Sequence, residues 1–467
     1  MFLGHSVHSE LSQGVKAMKK IYKGKEARNL IKKGIDTCVD VVKVTLGGNG
    51  KNVLIYNGSN SEVINDGVSI AKDITQKEEL MAGIRLAIQC AEQTDKDCDD
   101  GTTTTLVLLQ SILNEIIQDF ETENPRKLRD NLFKEANKVL KSIKPTKVKT
   151  REDIYNLVMT SSLNEKVAET ICDIYDKLGK DAKISIEEVT GDVLESEIVD
   201  GIQFEAKPAE GKLFNEFEKE TYNDIGVLVS EVPTAEEIQA GVNKARSRDK
   251  SELIIIGNQF TENVLLSFRK TNGFQFIPIE YSQIRTIEDV KDFVGNETVS
   301  KVIVDKDSMT MIGGKGDVKK KVKALKEKKN EEQSEYEKEQ IDIRIGNLSG
   351  GIATIKIGKQ TDVERYEIVK KIEDSIGAVR GAYESGYVLG GGVTLSKASK
   401  VSSNVTIQKV CESPYKQICE NYGEDVEVPE NVIDSFKSVK HSLLNALSTA
   451  TSVLTIEAAL IEIDEED

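Results

Sequence analysis

Tryptophan is absent from this 467-residue chain, and histidine occurs only three times. His5 and His8 stand in the first fifteen residues, so a histidine-based catalytic triad or a zinc site is not indicated. Phenylalanine and tyrosine bring the aromatic content to only 5%, which leaves little material for stacking nucleic-acid bases. The net charge of −16 also argues against non-specific binding to nucleic acid.

Paired cysteines, a long apolar run and a secretory signal are missing as well. The six cysteines form no Cys-x-x-Cys pair, which is typical of buried thiols in a reducing compartment. The sequence contains no run of eighteen apolar residues, which is about the length that a helix needs to span a bilayer. Residues 1–15 have no basic region followed by an apolar block, as a secretory signal would. We therefore expect a cytoplasmic protein, and its length predicts about three domains.

The most distinctive stretch is Asp-Asp-Gly-Thr-Thr-Thr-Thr at 99–105, followed by an apolar run of helical spacing from Leu106 to Ile117. The cluster therefore stands where a helix begins, and a helix N-terminus suits phosphate. Asp100 would repel a bare phosphate, so its presence favours Mg²⁺ between the two. A second interpretation stays open, in which Asp99 or Asp100 simply caps the helix. Four β-branched threonines are poor helix formers, which speaks against the cap.

Two glycine-rich turns flank this cluster in the sequence. Gly47, Gly48 and Gly50 follow an amphipathic helix and could approach a phosphate closely. Their spacing is not that of a Walker A loop, and by itself this turn is better explained as a hairpin entry. A hairpin is predicted over 53–56 and 61–64. The second turn, 390–392, follows a predicted helix that carries an aspartate.

Three fragments in this order and spacing, VVKVTLGGNGKNV, INDGVSIAKDI and DDGTTTTLVLLQ, resemble the nucleotide-binding half of a group I (GroEL-type) chaperonin. The second half of that signature, a helix with Asp374 and then three glycines, is also in order. The resemblance covers about residues 20–467 and indicates a divergent, shortened member. The shortening and the Lys-, Asn- and Ile-rich composition suit a large bacteriophage, whose protein would work in the host cytoplasm, or a reduced genome.

The resemblance implies a multidomain α and α/β chaperonin fold built from a nested chain. A helical equatorial domain would comprise residues 16–142 and 385–467. A small α/β intermediate domain would comprise 143–200 and 358–384, and an α/β apical domain would comprise 201–357.

The resemblance also implies an ATPase that is coupled to protein folding and uses ATP, Mg²⁺ and K⁺. Asp374 would activate the attacking water and Asp66 would support it. Asp100 would hold Mg²⁺, while the main chain around Thr45 and the side chain of Thr103 would hold K⁺. The residues expected to contact the nucleotide are Thr45, Leu46, Gly47, Gly50, Asp100, Gly101, Thr102, Thr103, Thr104, Gly391 and Asp434.

Two kinds of protein partner follow from the resemblance. Copies of the chain would form a homo-oligomeric ring of about seven subunits, and non-native proteins would be its clients, with a co-chaperonin left open. We expect no nucleic-acid or membrane partner. Apolar side chains on two apical helices would bind clients: Ile238, Val242, Val264, Leu265 and Phe268.

Three departures from the family pattern bear on activity. Asp99 stands where glycine is usual, Asn65 stands where lysine is usual, and residues 422–436 replace a longer loop that helps to hold adenine. Asp99, the shortened loop and the small number of apolar residues on the apical helices leave a ring-forming or client-holding protein with weak or no ATPase as an alternative. A small-molecule kinase or ligase is a second alternative, but the sequence offers no acid–base pair for an acceptor substrate.

Overall fold

A computed structural model describes residues 18–56, 58, 61–117, 124–180, 182–209, 220–260, 274–281, 286–295, 298–304, 308–332, 351–359 and 361–463, together with 334, 337, 338, 341, 344, 345 and 348. The chain divides into two compact units, residues 1–171 with 361–467, and residues 172–360. This division into two leaves the predicted boundaries of three domains untested, so they stay a prediction. Elements are numbered in chain order across both units.

The first unit is mainly helical. Its helices are α1 Gly24–Val42, α2 Gly67–Asp73, α3 Glu78–Cys98, α4 Thr102–Ile116, α5 Pro125–Ser142, α6 Arg151–Ser162, α11 Asp362–Ser385, α12 Val393–Ala398, α13 Val405–Tyr422 and α14 Phe436–Leu454. Helix α7, Glu165–Leu178, contains the point at which the chain passes from the first unit to the second.

Helix α4 lies at the centre of this unit because most of its surface is apolar, with polar residues beyond its first turn confined to the face of Gln110 and Asn114. It packs against α1, α3, α13 and α14, and six of its side chains are fully buried: Leu106, Leu108, Leu109, Ile112, Leu113 and Ile116. Each such side chain contributes about 1.5–3 kcal/mol on burial. The helix begins where the sequence predicts it. Gly101 is its N-cap residue, so neither Asp99 nor Asp100 occupies the capping position.

Three antiparallel two-stranded ribbons complete the first unit. They pair β1 Met18–Lys23 with β15 Ala458–Ile463, the predicted hairpin strands β2 Val53–Tyr56 and β3 Ser61–Ile64 with each other, and β13 Tyr387–Leu389 with β14 Ile433–Ser435. The first ribbon joins segments that are more than 400 residues apart in the chain. The third ribbon brings Asp434 opposite Val388, beside the glycine turn at 390–392.

The second unit is α/β, as the sequence predicts. Strands β6 Gly201–Pro208, β7 Glu220–Val229, β8 Glu252–Gly257, β9 Gln275–Tyr281, β10 Thr298–Val304 and β11 Ser308–Ile312 form a closed barrel in the order β10-β11-β6-β9-β8-β7. Pairs β7–β8 and β8–β9 are parallel. A three-stranded sheet joins β4 Lys183–Glu188, β12 Ile352–Gly358 and β5 Val193–Val199. The helices described here are α8 Ala235–Arg246, α9 Thr286–Val294 and α10 Val318–Glu331.

Five of the six cysteines are buried, and Cys419 is partly buried. Within the described ranges, no helix combines the length and the apolar character that crossing a membrane requires.

Candidate functional site

A pocket of about 470 Å³ lies in the first unit. It is bounded by the turn after α1, the turn before α2, the start of α4, one face of α11 and the glycine turn before α12. These segments are far apart in the sequence, and the fold brings together every predicted nucleotide-contacting or catalytic residue except Gly50. The predicted residues in its lining are Thr45, Leu46, Gly47, Asp66, Asp100, Gly101, Thr102, Thr103, Thr104, Asp374, Gly391 and Asp434.

The start of α4 supplies backbone donors to this pocket. Gly101 has a φ of +83°, a left-handed conformation that glycine adopts without strain. The N–H groups of the first helical turn have no partner within the helix. Those of Thr102, Thr103 and Thr104 are therefore available, and all three residues line the pocket. The arrangement suits an anion such as phosphate.

Gly50 closes the glycine turn that follows α1. Its N–H donates to the carbonyl oxygen of Gly47 at 2.8 Å, and a Cβ at this position would lie only 2.0 Å from the carbonyl oxygen of Thr45. Only glycine therefore fits, and Gly50 shapes the turn without lining the pocket. The Asn421 amide secures the same turn by donating to the carbonyl oxygens of Lys43 and Leu46 at 3.0 and 2.9 Å.

Four carboxylates line the pocket and remain partly accessible from it. Asp66 also caps α2 by accepting the Ser69 N–H at 2.8 Å. Burial in the surrounding protein raises the pKa of Asp100 to about 6. Burial, with the nearby charge of Asp100, raises the pKa of Asp434 to about 7. The pKa of Asp374 is raised well above its ordinary value by burial first and then by the charges of Asp100 and Asp66.

This concentration of negative charge suits a cation that already carries ligands from another molecule, such as phosphate oxygens. Among the described residues, no group of three or more His, Cys, Asp or Glu side chains is arranged to hold a metal ion. Mg²⁺ is commonly held by one or two carboxylates together with phosphate oxygens. The residues present therefore fit a magnesium–phosphate ligand better than either a bare metal ion or a bare phosphate. The hydroxyls of Thr45 and Thr103 lie 3.4 Å apart and add oxygens suited to a second cation.

An apolar wall of the pocket was not predicted from the sequence. It includes Leu157 and Met159 of α6, Ile418 of α13, and Val428 and Pro429 of the loop at 423–432. This loop belongs to the segment that the sequence interpretation treats as a shortened adenine loop. The sequence feature that could have indicated an apolar wall here is the pattern Val-x-Val-Pro at 426–429, inside an otherwise acidic stretch.

Polar contacts hold this wall in place. Tyr415 Oη donates to the carbonyl oxygen of Val426 at 2.8 Å. The Ile433 N–H donates to the hydroxyl of Thr160 at 3.1 Å, which joins α6 to β14. The short loop therefore retains a fixed, apolar surface on the pocket.

The two single-residue departures from the family pattern have different positions. Asp99 is outside the described lining of the pocket and ends α3 in a left-handed conformation with a φ of 51°. Aspartate tolerates this conformation better than most residues other than glycine. Asn65 does line the pocket, and its amide donates to the side-chain oxygen of Asn52 at 3.2 Å.

The predicted client-binding residues are not supported as a surface. Ile238 and Val242 of α8 are 5% and 2% exposed, and they form a hydrophobic cluster with Leu253 and Ile255 of β8. Their burial does not support contact with clients, and client binding by these two residues stays a prediction. The other three, Val264, Leu265 and Phe268, lie outside the described residues.

Sequence comparisons match this chain to known proteins over most of its length. Residues 39–252 match the family model described as the TCP-1/cpn60 chaperonin family. The chaperonin GroEL of Acholeplasma laidlawii is 29% identical, covering 96% of this chain and 98% of that protein. The chaperonin GroEL of Onion yellows phytoplasma is also 29% identical, covering 96% of this chain and 97% of that protein.

Structure comparisons agree on the fold. The chaperonin gp146 from the bacteriophage EL 2 (Pseudomonas aeruginosa), crystallised in the presence of ATP-BeFx, has a TM-score of 0.63 and 18% identity, covering 96% of this chain and 99% of its own. A second crystal form gives a TM-score of 0.65, covering 94% of this chain and 98% of its own. The fold is therefore that of a chaperonin. The chain is similar to the TCP-1/cpn60 chaperonin family over residues 39–252, and the curated relatives that it resembles along most of its length are of the GroEL type.

Proposed function

We propose that this chaperonin subunit binds and hydrolyses ATP and uses the hydrolysis to fold non-native proteins inside a ring of identical subunits. The observation that carries the proposal is the convergence on one pocket of four carboxylates, the N-terminus of α4 and two glycine turns. Its volume of about 470 Å³ is in the range of small-molecule sites, roughly 300–1,000 Å³. The three predicted domains are part of this proposal.

The phosphate end of the nucleotide would lie at the start of α4. The N–H groups and hydroxyls of Thr102, Thr103 and Thr104 would bind the phosphate oxygens. Asp100 would hold Mg²⁺, which when bound neutralises phosphate charge during transfer. The Thr103 hydroxyl and the main chain around Thr45 would hold K⁺. The ribose and base would extend toward Asp434, Gly391 and the apolar wall.

Asp374 would orient and deprotonate the attacking water, and Asp66 would assist. A general base must be ionised before it accepts a proton. Burial, and then the neighbouring carboxylates, oppose this ionisation by raising the pKa of Asp374. A cation bound at Asp100 would offset their charge and lower that pKa, so that Asp374 becomes competent when the cation and nucleotide are present.

Two reasons for the rival interpretation, a client-holding protein with little ATPase, are weaker than the sequence suggests. Asp99 does not line the described pocket, so its charge does not obstruct the phosphates directly. The shortened loop still supplies Val428 and Pro429 as a wall for the base. Both observations support a working site over a remnant of one.

The ring proposal is supported by exposed apolar pairs in the first unit. Ile21 of β1 and Leu460 of β15 face each other across the first ribbon and are 57% and 68% exposed. Leu54 and Tyr56 of β2 are 64% and 68% exposed. Open strand edges with apolar faces are typical of surfaces that meet another chain.

Asp374→Ala tests the catalytic assignment. We expect turnover of Mg-ATP to fall by a factor of about 100 or more, because the variant loses its general base, while ATP still binds within about threefold of wild type. Asp362→Ala is the matched control, because Asp362 is on the same helix with its side chain 88% exposed. Steady-state phosphate release and equilibrium binding measure the two quantities.

Equal turnover by wild type and Asp374→Ala would contradict this assignment. Binding of ATP without turnover by the wild-type protein would favour the client-holding alternative instead.

A further inference from the structure

A cluster of polar side chains joins three helices beside the Gly101 turn, and one of its members, Ser442, also lines the pocket. Three of its hydroxyl-bearing residues, Thr94, Thr105 and Ser442, are only 0%, 0% and 1% exposed. Buried hydroxyls are costly unless they are hydrogen-bonded, so their partners are informative. The members of this hydroxyl cluster are Thr94 and Asp97 of α3, Thr105 of α4, and His441, Ser442 and Asn445 of α14.

The centre of the hydroxyl cluster is the carbonyl oxygen of Gly101. It accepts the backbone N–H of Thr105 at 3.0 Å, as expected of a helix N-cap residue. It also accepts the Ser442 hydroxyl at 3.1 Å. The Thr105 hydroxyl lies 3.0 Å away, and its single hydrogen is shared between this carbonyl oxygen and the Thr94 hydroxyl oxygen. Two side chains from different helices thus add to the one bond that helix formation supplies.

Fixing this carbonyl also fixes a donor that belongs to the pocket. The Gly101 carbonyl and the Thr102 N–H share one planar peptide unit, in which they point in opposite directions. With the carbonyl held by Ser442 and Thr105, the Thr102 N–H cannot rotate independently. Thr102 lines the pocket, so the hydroxyl cluster orients a phosphate donor through this peptide unit.

A second set of contacts links the Thr105 hydroxyl to helices α3 and α14. The Asn445 amide donates to the Thr94 hydroxyl oxygen at 3.1 Å and to the Asp97 carboxylate at 3.0 Å. Thr94 in turn lies 3.0 Å from the Thr105 hydroxyl. His441 Nδ1 lies 3.3 Å from the same Asp97 carboxylate. These contacts fix α14, and therefore Ser442, relative to the end of α3 and the start of α4.

We propose that Ser442 and Thr105 are positioning residues for the phosphate-binding turn, and that Asn445 supports them through Thr94. They act on the phosphate chain of the nucleotide through the Gly101–Thr102 peptide. The proposal rests on the proposed function, because it requires that the pocket binds a nucleotide.

The test compares two variants that each remove a buried hydroxyl from α14. Ser442→Ala removes the donor to Gly101. Thr451→Val is the matched control, because Thr451 is 2% exposed and its hydroxyl donates only within its own helix region, to Leu447 at 2.7 Å. Affinity for Mg-ATP is measured by titration calorimetry well below the melting temperature of both variants. We expect Ser442→Ala to weaken binding about tenfold and Thr451→Val to leave it within twofold.

Two further variants separate positioning from general destabilisation. Thr105→Val keeps the side-chain shape but removes the hydroxyl, and we expect a similar loss of affinity. Thr105→Ser keeps the hydroxyl, and we expect affinity within about threefold of wild type even if its melting temperature falls. Equal affinities for Ser442→Ala and Thr451→Val would overturn the proposal, as would a loss in Thr105→Ser as large as in Thr105→Val. A wild-type protein that binds no Mg-ATP would overturn the proposed function together with this inference.

Discussion

Four aspartates face one pocket, and burial raises the pKa of three of them, Asp100, Asp374 and Asp434. The charge of Asp100 adds to the rise in the pKa of Asp374 and Asp434. The four aspartates lie on four different elements of the fold: Asp66 caps α2, Asp434 is on β14, Asp374 is on α11, and Asp100 lies in the turn before α4. The sequence gives the residue types and the turns that carry them. It does not give the pKa values, because these depend on the distances at which the fold brings the carboxylates together.

Stability should therefore depend on pH through Asp434. Its pKa of about 7 in the folded protein lies above the ordinary value of roughly 3.9. Between these values the native state binds more protons than the unfolded state, so stability falls as pH rises from about 4 to about 7. Without nucleotide, Asp434→Asn should match wild type near pH 4.5 and melt about 4 °C higher at pH 8.

Calorimetric melting curves across this pH range check the prediction, with Asp362→Asn as an exposed control on α11. The prediction would be contradicted if the melting temperatures of wild type and Asp434→Asn changed with pH in the same way, because the pKa of Asp434 would then not be raised in the folded protein.

At the scale of single elements, periodicity is a good guide and irregular backbone is not. The apolar run at 106–117 correctly predicts α4, and the alternating segments at 53–56 and 61–64 correctly predict the β2–β3 hairpin. The loop at 423–432 has no periodicity, so its place in the pocket wall depends on contacts such as that of Tyr415, which no local pattern reveals. The burial of Ile238 and Val242 was equally hidden, because an amphipathic helix does not show what covers its apolar face.

The β2–β3 ribbon carries a prediction about assembly. Val53 and Ile55 face the core, while Leu54 and Tyr56 point away from it on the opposite face. Val63 pairs with Leu54 and is 37% exposed. Leu54→Asp should therefore reduce the assembled fraction severalfold with little change in the stability of the subunit, because a charge replaces an apolar contact with a neighbouring subunit.

Val405→Asp is the comparison, because Val405 is 61% exposed at the start of α13 and outside the ribbons. Sedimentation velocity measures the assembled fraction. Equal assembly by the two variants would remove this ribbon from the subunit interface.

At the scale of the whole molecule, the resemblance correctly predicts the chaperonin fold from three short fragments and a glycine turn. The closed barrel of the second unit was not predicted. Its closure depends on the β6–β9 pairing between residues 206–208 and 279–281, and such distant partners leave no local signal. The same holds for β1 and β15.

The assembled protein should behave as an ATPase that requires both cations. We expect the purified chain of 51.6 kDa to form particles of several hundred kilodaltons that hydrolyse ATP with Mg²⁺, and to turn over several times more slowly when Na⁺ replaces K⁺. Light scattering and steady-state phosphate release on one sample measure both. A monomer without turnover would contradict the ring and the ATPase together.

The pairing of β1 with β15 has a consequence for biosynthesis. A ribosome that adds about 5–20 residues per second needs roughly 20–90 seconds between the two strands of this ribbon. During that interval the nascent first half of the first unit lacks α13, α14 and its partner strand, so α4 has apolar surface without cover. The second unit is contiguous in the chain and emerges complete in the meantime. Strand β1 therefore emerges well before its partner β15 is synthesised, and the apolar surface of α4 stays uncovered until α13 and α14 follow.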